Sequence, residues 1–307
     1  MEEIKPISRT TISGTKEISF QIKELSKISV GKALTGIVFD WTIIVGCFTA
    51  AFMIHNWFVW IAAVIVIAAR QHGLLVMMHD AGHYRLFPNR IWNDRISDWI
   101  LAWPLFSSTA GYRGYHLPHH FNLNTDQDPT LMSQQTPDWE FPKTKLGLFW
   151  LLLKDLMGMG IIENIKLLKM MKNSGQRNFT IYRIAYHIIT FGVICLSGFF
   201  VPFLLLWLLP ALFLLPVLLR IRSIADHHGL EGEHDLTMTR NTRVRWWERF
   251  FFFPHNVGIH LDHHLYPSVP FYNLGKLHSV LARLPEYSEK SRQTRSMLGL
   301  VNEVTQP

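Results

Sequence analysis

The sequence predicts an all-α membrane protein: four transmembrane helices in two hairpins, with a cytoplasmic helical cap carrying a histidine-rich di-metal site. Three observations predict it. Residues 33–69 contain one charge, Asp40, and residues 184–219 contain no Lys, Arg, Asp or Glu. Charged residues are 17% and hydrophobic ones 49%, with 11 Trp and 21 Phe, too apolar for an ordinary soluble domain. Histidine is over-used, and eight of its 16 occurrences fall in three short clusters.

Residues 1–32 mix lysines with glutamates and lack the apolar core of a signal peptide, so they are expected to form a cytoplasmic N-terminal segment. The apolar run 33–69 is too long for one span of about 20 residues and suits two. Residues 54–57 (IHNW) make the turn, with Trp57 and Trp60 suited to an interface. The second helix should continue from Trp57 to His83, about 40 Å at 1.5 Å per residue, which carries His79 and His83 beyond the hydrocarbon. Residues 93–106 and 147–171 are apolar but interrupted by charge (Asp94, Arg95, Asp98; Lys154, Asp155, Glu163), and are expected to lie on the membrane surface. Between them stands the cluster His116, His119, His120, in which Pro118 calls for a first helical turn or a kink. The run 184–219 again suits two spans, turning at 198–202, and its second helix runs out through Arg220 and Arg222 toward His227. Leu274, Leu277, Leu281 and Leu284 follow helical spacing, with Asn273 a possible N-cap and Pro285 a stop. The catalytic domain is therefore drawn over 33–287, and 288–307 is expected to be a polar tail that frays.

Neither hairpin turn contains Lys or Arg, so both termini and every histidine cluster are expected on the cytoplasmic side, which would be that of the inner membrane in a bacterium. The same topology accounts for the net charge of +7 without nucleic acid. Cys47 and Cys195 lie in apolar runs and form no CxxC, so they are expected to pack as small hydrophobes rather than to make a disulfide, a zinc ribbon or an iron–sulfur site. Asp40 is costly inside a span unless it faces the bundle or an interface, and near a helix end it is expected to reach water.

His260, His263 and His264 fall at i, i+3 and i+4, as do His116, His119 and His120, and His79 and His83 form an i, i+4 pair. Singly, each is as well explained as a polar helix end at the membrane surface. Three on one side point to metal. Eight imidazoles exceed the six positions of an octahedral ion, so two ions are more economical than one. No HExxH supplies a hydrolase glutamate, and no thiolates are placed for structural zinc. An all-imidazole set suits iron, copper or zinc. Redox work by two irons on a membrane-embedded substrate is the preferred expectation. A zinc-dependent membrane hydrolase and a non-catalytic metal carrier are the rivals from other classes. His55, His72, His187, His234, His255 and His278 lie outside the clusters and are assigned structural or surface roles.

The three clusters, their order and the two apolar hairpins resemble the membrane fatty acid desaturase family, which includes related hydroxylases and carotenoid ketolases. The likeness covers roughly 35–285. It rests on His79-Asp-Ala-Gly-His83, on His116-Leu-Pro-His-His120 followed by Asn124-Thr-Asp-Gln-Asp-Pro129, and on Asn256-Val-Gly-Ile-His260-Leu-Asp-His-His264-Leu-Tyr-Pro267. The resemblance implies a non-haem di-iron oxidoreductase with O2 as co-substrate that forms a double bond in a fatty acyl or other lipid-like chain. A hydroxylase or ketolase acting on a carotenoid or other apolar metabolite is the alternative on the same scaffold. It also implies electrons from an external donor, a ferredoxin or similar partner, since no HPGG haem-domain signature is present. One further ligand is implied upstream of the third box, which matches His227 or its neighbour His228. Catalytic and metal residues are then His79, His83, His116, His119, His120, His227, His260, His263 and His264. Asn256, one turn before His260, is a candidate for holding a metal-bound water. Asp80, Asp126, Asp128 and Asp262 are candidates for orienting imidazoles.

Overall fold

A computed structural model describes residues 16–174, 180–230 and 235–306, which are mostly helical. Among the described residues, three helices are long and apolar enough to cross a membrane: Val30–Met53, Trp57–Gly82 and Phe200–His227. The first two form the expected hairpin. Asn56 caps the second, accepting the Phe58 N–H at 2.8 Å. Lipid offers no hydrophobic drive for helix pairing, so close approach depends on small residues. Ala33, Ala51 and Ala63 are buried in this bundle beside Ile67, Leu74 and Met77. Gly36 lies so close to the loop before the Leu274–Leu281 helix that an added Cβ would meet Phe271 at 3.0 Å. The outward faces carry Val38, Val45, Ile61 and Ile65, all exposed, as a lipid-facing surface requires.

The second apolar run also turns as expected, at Gly198 with φ +74°, after a shorter apolar helix, Thr180–Leu196. Pro202, Pro210 and Pro216 each remove a backbone donor from Phe200–His227. The helix absorbs the loss in two π-helical stretches, Leu204–Leu208 and Pro210–Leu214, rather than breaking.

Asp40 does not reach water. It is fully buried, its Oδ1 accepts from Arg70 Nη1 at 2.9 Å, and its Oδ2 lies 2.7 Å from His255 Nε2. The charge stands well inside its helix, and a cation on the neighbouring helix satisfies it. Gly73 makes room, since a Cβ there would stand 2.4 Å from Asp40 Oδ2.

Lys145–Leu156 and Met159–Ser174 are helices with outward apolar residues such as Phe149, Trp150 and Ile162. Their charges do more than mark an interface. Asp155 receives Arg220 Nε and Nη2 at 2.7 and 3.0 Å, and Glu163 lies 2.8 Å from the same Nη2.

The Leu274–Leu281 helix buries its leucines against Ile22 of the N-terminal helix Lys16–Leu25. Asn273 stands at the N-cap position but donates instead to the Leu25 carbonyl. Pro285 opens a further helix, Pro285–Lys290, as a first-turn proline can. The tail does not fray. Arg292–Thr294 pairs in parallel with Arg240–Thr242, and the helix Met297–Val304 buries Leu300 and Val304 beside Phe253 and Val257. Its polar surface hid an apolar stripe on one short helix.

Candidate metal centre

Four chain segments bring imidazoles together. His79 and His83 end the Trp57–Gly82 helix, and His227 ends Phe200–His227. His116, His119 and His120 lie on Thr109–Phe121, where Pro118 sits in the last turn rather than the first. There it removes one bond, and the Asn122 N–H closes the helix on the Pro118 carbonyl. His260, His263 and His264 lie on the short helix His260–Leu265.

The nine histidines named from the sequence and its resemblance form two groups. His79, His83, His116, His120 and His263 make one, and His119, His227, His260 and His264 the other; within each, one nitrogen per residue lies within 4.8 Å of all the others. The Nε2 atoms of His116 and His120 are 2.9 Å apart, and those of His120 and His263 3.1 Å. In the second group the Nε2 contacts His119–His227, His227–His260 and His260–His264 measure 3.2, 3.0 and 3.1 Å.

Protons alone do not satisfy these contacts. A neutral imidazole nitrogen carries either one proton or one lone pair, so each Nε2 closes one contact. Four nitrogens joined by three contacts leave at least one contact unmade. His79 Nε2 and His83 Nε2 are buried with no hydrogen-bond partner among the described residues. A cation resolves both problems, because ligands at right angles on one ion with bonds of about 2.1 Å stand about 3 Å apart. The residues present fit a pair of metal ions.

The protonation states suit ligation. Burial, followed by the charges of Arg85 and Arg113, pushes His83 down to about 3, and burial, followed by repulsion from neighbouring imidazoles, holds His116, His260, His263 and His264 well below the ordinary range. These rings are neutral near pH 7, the form that binds metal.

Of the four carboxylates considered for outer contacts, Asp128 meets a clustered imidazole most closely. Its oxygens lie 2.9 and 3.0 Å from His119 Nδ1, which leaves Nε2 facing the second group. Asp80 accepts the Phe271 N–H at 2.7 Å, fastening the chain after the third box to the first. Asp262 is tied to Asn241, His278 and Tyr287 and anchors the third box from behind. Asp126 is exposed. The Asn256 amide donates to the Phe271 carbonyl at 3.0 Å, and its oxygen faces Arg249 at 3.4 Å. Its carboxamide is thus engaged in holding a loop. His228 turns away from the groups, to Gln134 at 3.0 Å. Of the six histidines outside the clusters, His72 is fully buried, His255 and His278 join the networks above, and His234 lies outside the described residues.

Two features had not been singled out in the sequence. Asp226 Oδ2 lies 3.6 Å from His260 Nε2 and 3.3 Å from Arg222 Nε. Arg70, besides pairing with Asp40, donates to the Phe250 carbonyl and stacks on the Phe250 ring at 4.0 Å. The available signal was charge within an otherwise apolar helix, which flags a residue without naming its partner.

Fold and site together define a membrane protein built around two groups of imidazoles that are compatible with metal binding. A family profile described as fatty acid desaturase matches residues 55–296. The chain belongs to that family. A relative named dihydrorhizobitoxine desaturase, from Bradyrhizobium elkanii, is 28% identical over 293 residues, covering 90% of this chain and 82% of its own length.

Proposed function

We propose that the protein is an O2-dependent di-iron desaturase that forms a double bond in a lipid-like substrate. The observation that carries this reading is the division of nine buried or half-buried imidazoles into a group of five and a group of four. His79, His83, His116, His120 and His263 would hold one ion, and His119, His227, His260 and His264 the other. A nitrogen-only donor set, without thiolate or an HExxH glutamate, supports iron over structural or hydrolytic zinc. When bound, two irons would supply oxidation of an unactivated C–H, with O2 as oxidant and two electrons from a ferredoxin or similar donor.

The chain's own residues prepare that chemistry. Burial keeps His83, His116, His260, His263 and His264 neutral and limits access of water, which strengthens electrostatic interactions inside the site. Asp128 fixes the ring of His119, and Asp80 fixes the loop at Phe271 relative to His79. Asp226, beside His260, stands where a carboxylate can hold a proton close to the second group. Desaturation removes two hydrogens from the substrate and, with two electrons and two protons, converts O2 to two waters. The relative's name as a desaturase supports double-bond formation over hydroxylation.

We also propose four spans, the fourth being Thr180–Leu196, with both termini and the histidines on the cytoplasmic side. Turns free of Lys and Arg at 54–56 and 197–199 support this orientation. The test is product analysis with iron-loaded protein, O2 and a reductant. A product lighter by two hydrogens supports the proposal. A product that gains oxygen assigns the chain to hydroxylation or ketolation, and turnover without O2 contradicts the redox reading.

A further inference from the structure

A cavity of about 520 Å³ stands beside the third box and takes no part in the two imidazole groups. Its walls include Thr242, Arg243, Arg249, Gly258, Gly275 and Arg295, with neither a carboxylate nor any of the nine histidines among them. Three arginines thus line one cavity unopposed. Among the described residues, arginine ion pairs are made by Arg70, Arg113, Arg220, Arg222 and Arg240, and not by these three.

The charge of the surroundings has the same sign. Residues 240–281 and 291–304, which supply every wall, carry seven Lys and Arg against three carboxylates, Glu248, Asp262 and Glu303. All three are engaged elsewhere. Glu248 accepts the Arg245 and Met297 N–H groups, Glu303 accepts from the Thr294 hydroxyl, and Asp262 is held by Asn241, His278 and Tyr287. Thr242 is 3% exposed, and its hydroxyl is buried without a hydrogen-bond partner among the described residues. Cations and an orphaned hydroxyl on one cavity call for an anion rich in acceptor oxygens.

The level of the cavity selects the source of that anion. Phe253 of its wall and the neighbouring Val257 share a core cluster with Val76 of the Trp57–Gly82 helix. Val76 lies about 28 Å along that helix from Trp57, close to the ~30 Å thickness of a hydrocarbon layer. Arg70 of the same span donates to the Phe250 carbonyl, which holds the helix Trp246–Phe252 against the membrane boundary. Trp246, Trp247 and Leu298 are exposed there, and Trp246 precedes Arg249 by three residues on one helical face. Exposed tryptophans beside arginines suit a headgroup layer, where the rings enter lipid and the cations meet its phosphates. A soluble anion would leave those rings in water.

We propose that this cavity binds the phosphate head of an anionic phospholipid and that the bound lipid braces the third box. Its walls come from the strand Arg240–Thr242, from residues 258–259 entering His260, from the helix Leu274–Leu281, and from Arg295 just after the strand Arg292–Thr294. A ligand touching all four fastens together the elements that support His260–Leu265. The proposal goes beyond the desaturase reading and uses neither metal nor O2.

Binding is measured on detergent-purified protein by native mass spectrometry and by Tm, with phosphatidylglycerol, phosphatidylcholine and inorganic phosphate as probes. Phosphatidylglycerol is expected to bind at least about tenfold more tightly than phosphatidylcholine and to raise Tm, since a ligand of the folded form stabilises it. The double variant Arg243→Gln/Arg295→Gln should abolish that preference. Gly275→Phe tests the cavity without changing charge. A Cβ at Gly275 meets nothing within 4 Å, and the residue stands in a helix, so the added ring occupies the cavity and should also abolish the preference. Arg90→Gln/Arg95→Gln removes two exposed cations from the separate helix Arg90–Ser97 and should leave it intact. An equal loss in that control, or an unchanged preference in folded Gly275→Phe protein, reduces the effect to diffuse attraction and overturns the proposal. Inorganic phosphate that stabilises as well as phosphatidylglycerol assigns the cavity to a soluble anion and overturns the lipid source. Loss of binding to an acidic ferredoxin in Arg243→Gln/Arg295→Gln, with phosphatidylglycerol binding unchanged, would overturn it in favour of a protein partner.

Discussion

Asp128 is the residue through which a single outer contact can be tested. Its carboxylate holds His119 Nδ1 and also caps the short helix Pro129–Ser133 through the Thr130 N–H at 2.8 Å. Asp128→Asn keeps much of the cap but weakens the hold on His119. Metal affinity of the four-histidine group should fall about 10- to 100-fold, read by metal titration, while the five-histidine group holds its ion. Asp40 tests the membrane-buried network. Asp40→Ala strands Arg70, which is 2% exposed, without its carboxylate. The expected cost is about 3–5 kcal/mol, visible as a lower Tm in detergent; an unchanged Tm would remove the network from the account. The imidazoles set the pH response. His83 is near 3 in the folded protein against an ordinary value of about 6.5. The unfolded chain therefore binds protons that the folded chain does not. Stability of the metal-free protein is full above pH 6.5 and should be lost as pH falls toward 3. Denaturant midpoints measured across that range check the sign. The histidines themselves were legible because i, i+3, i+4 spacing is local. The pairing of Asp40 with His255 spans 215 positions and has no local signature.

The element that depends most on its surroundings is the third-box helix, His260–Leu265, whose six residues are too few to hold helical form alone. Its support comes from Arg240–Thr242. The Thr242 N–H donates to the Gly258 carbonyl at 2.6 Å, Asn241 bridges to Ile259, and Asn241 Nδ2 reaches Asp262 at 2.7 Å. Gly258 permits this approach, since a Cβ would stand 2.4 Å from the Thr242 carbonyl oxygen. Arg292–Thr294 pairs with the same strand from the other side. Truncation after Lys290 removes that strand together with buried Leu300 and Val304. It should lower both thermal stability and metal occupancy, whereas a freely fraying tail would be dispensable. The long helices were readable from apolar runs of spanning length. The strands and last helix were not, because two- and three-residue strands carry no periodicity and the amphipathic stripe of Met297–Val304 is only eight residues long.

For the whole molecule, the proposed topology puts the metal sites at one end of the bundle and both hairpin turns at the other. A single cysteine introduced as Ser197→Cys, with Cys47 and Cys195 replaced by Ser, should react with a membrane-impermeant maleimide from the face opposite the termini. Labelling from the side of the termini would reverse or break the four-span arrangement. The central claim concerns metal, and the most direct measurement is metal content with iron spectroscopy on detergent-purified protein, alongside His263→Ala and His264→Ala. These two neighbours belong to different groups. The account predicts about two irons per chain, coupled to each other, with occupancy falling toward one in either variant. Protein that keeps its fold but holds no iron after anaerobic loading, or that holds a single ion lost equally in both variants, would contradict it.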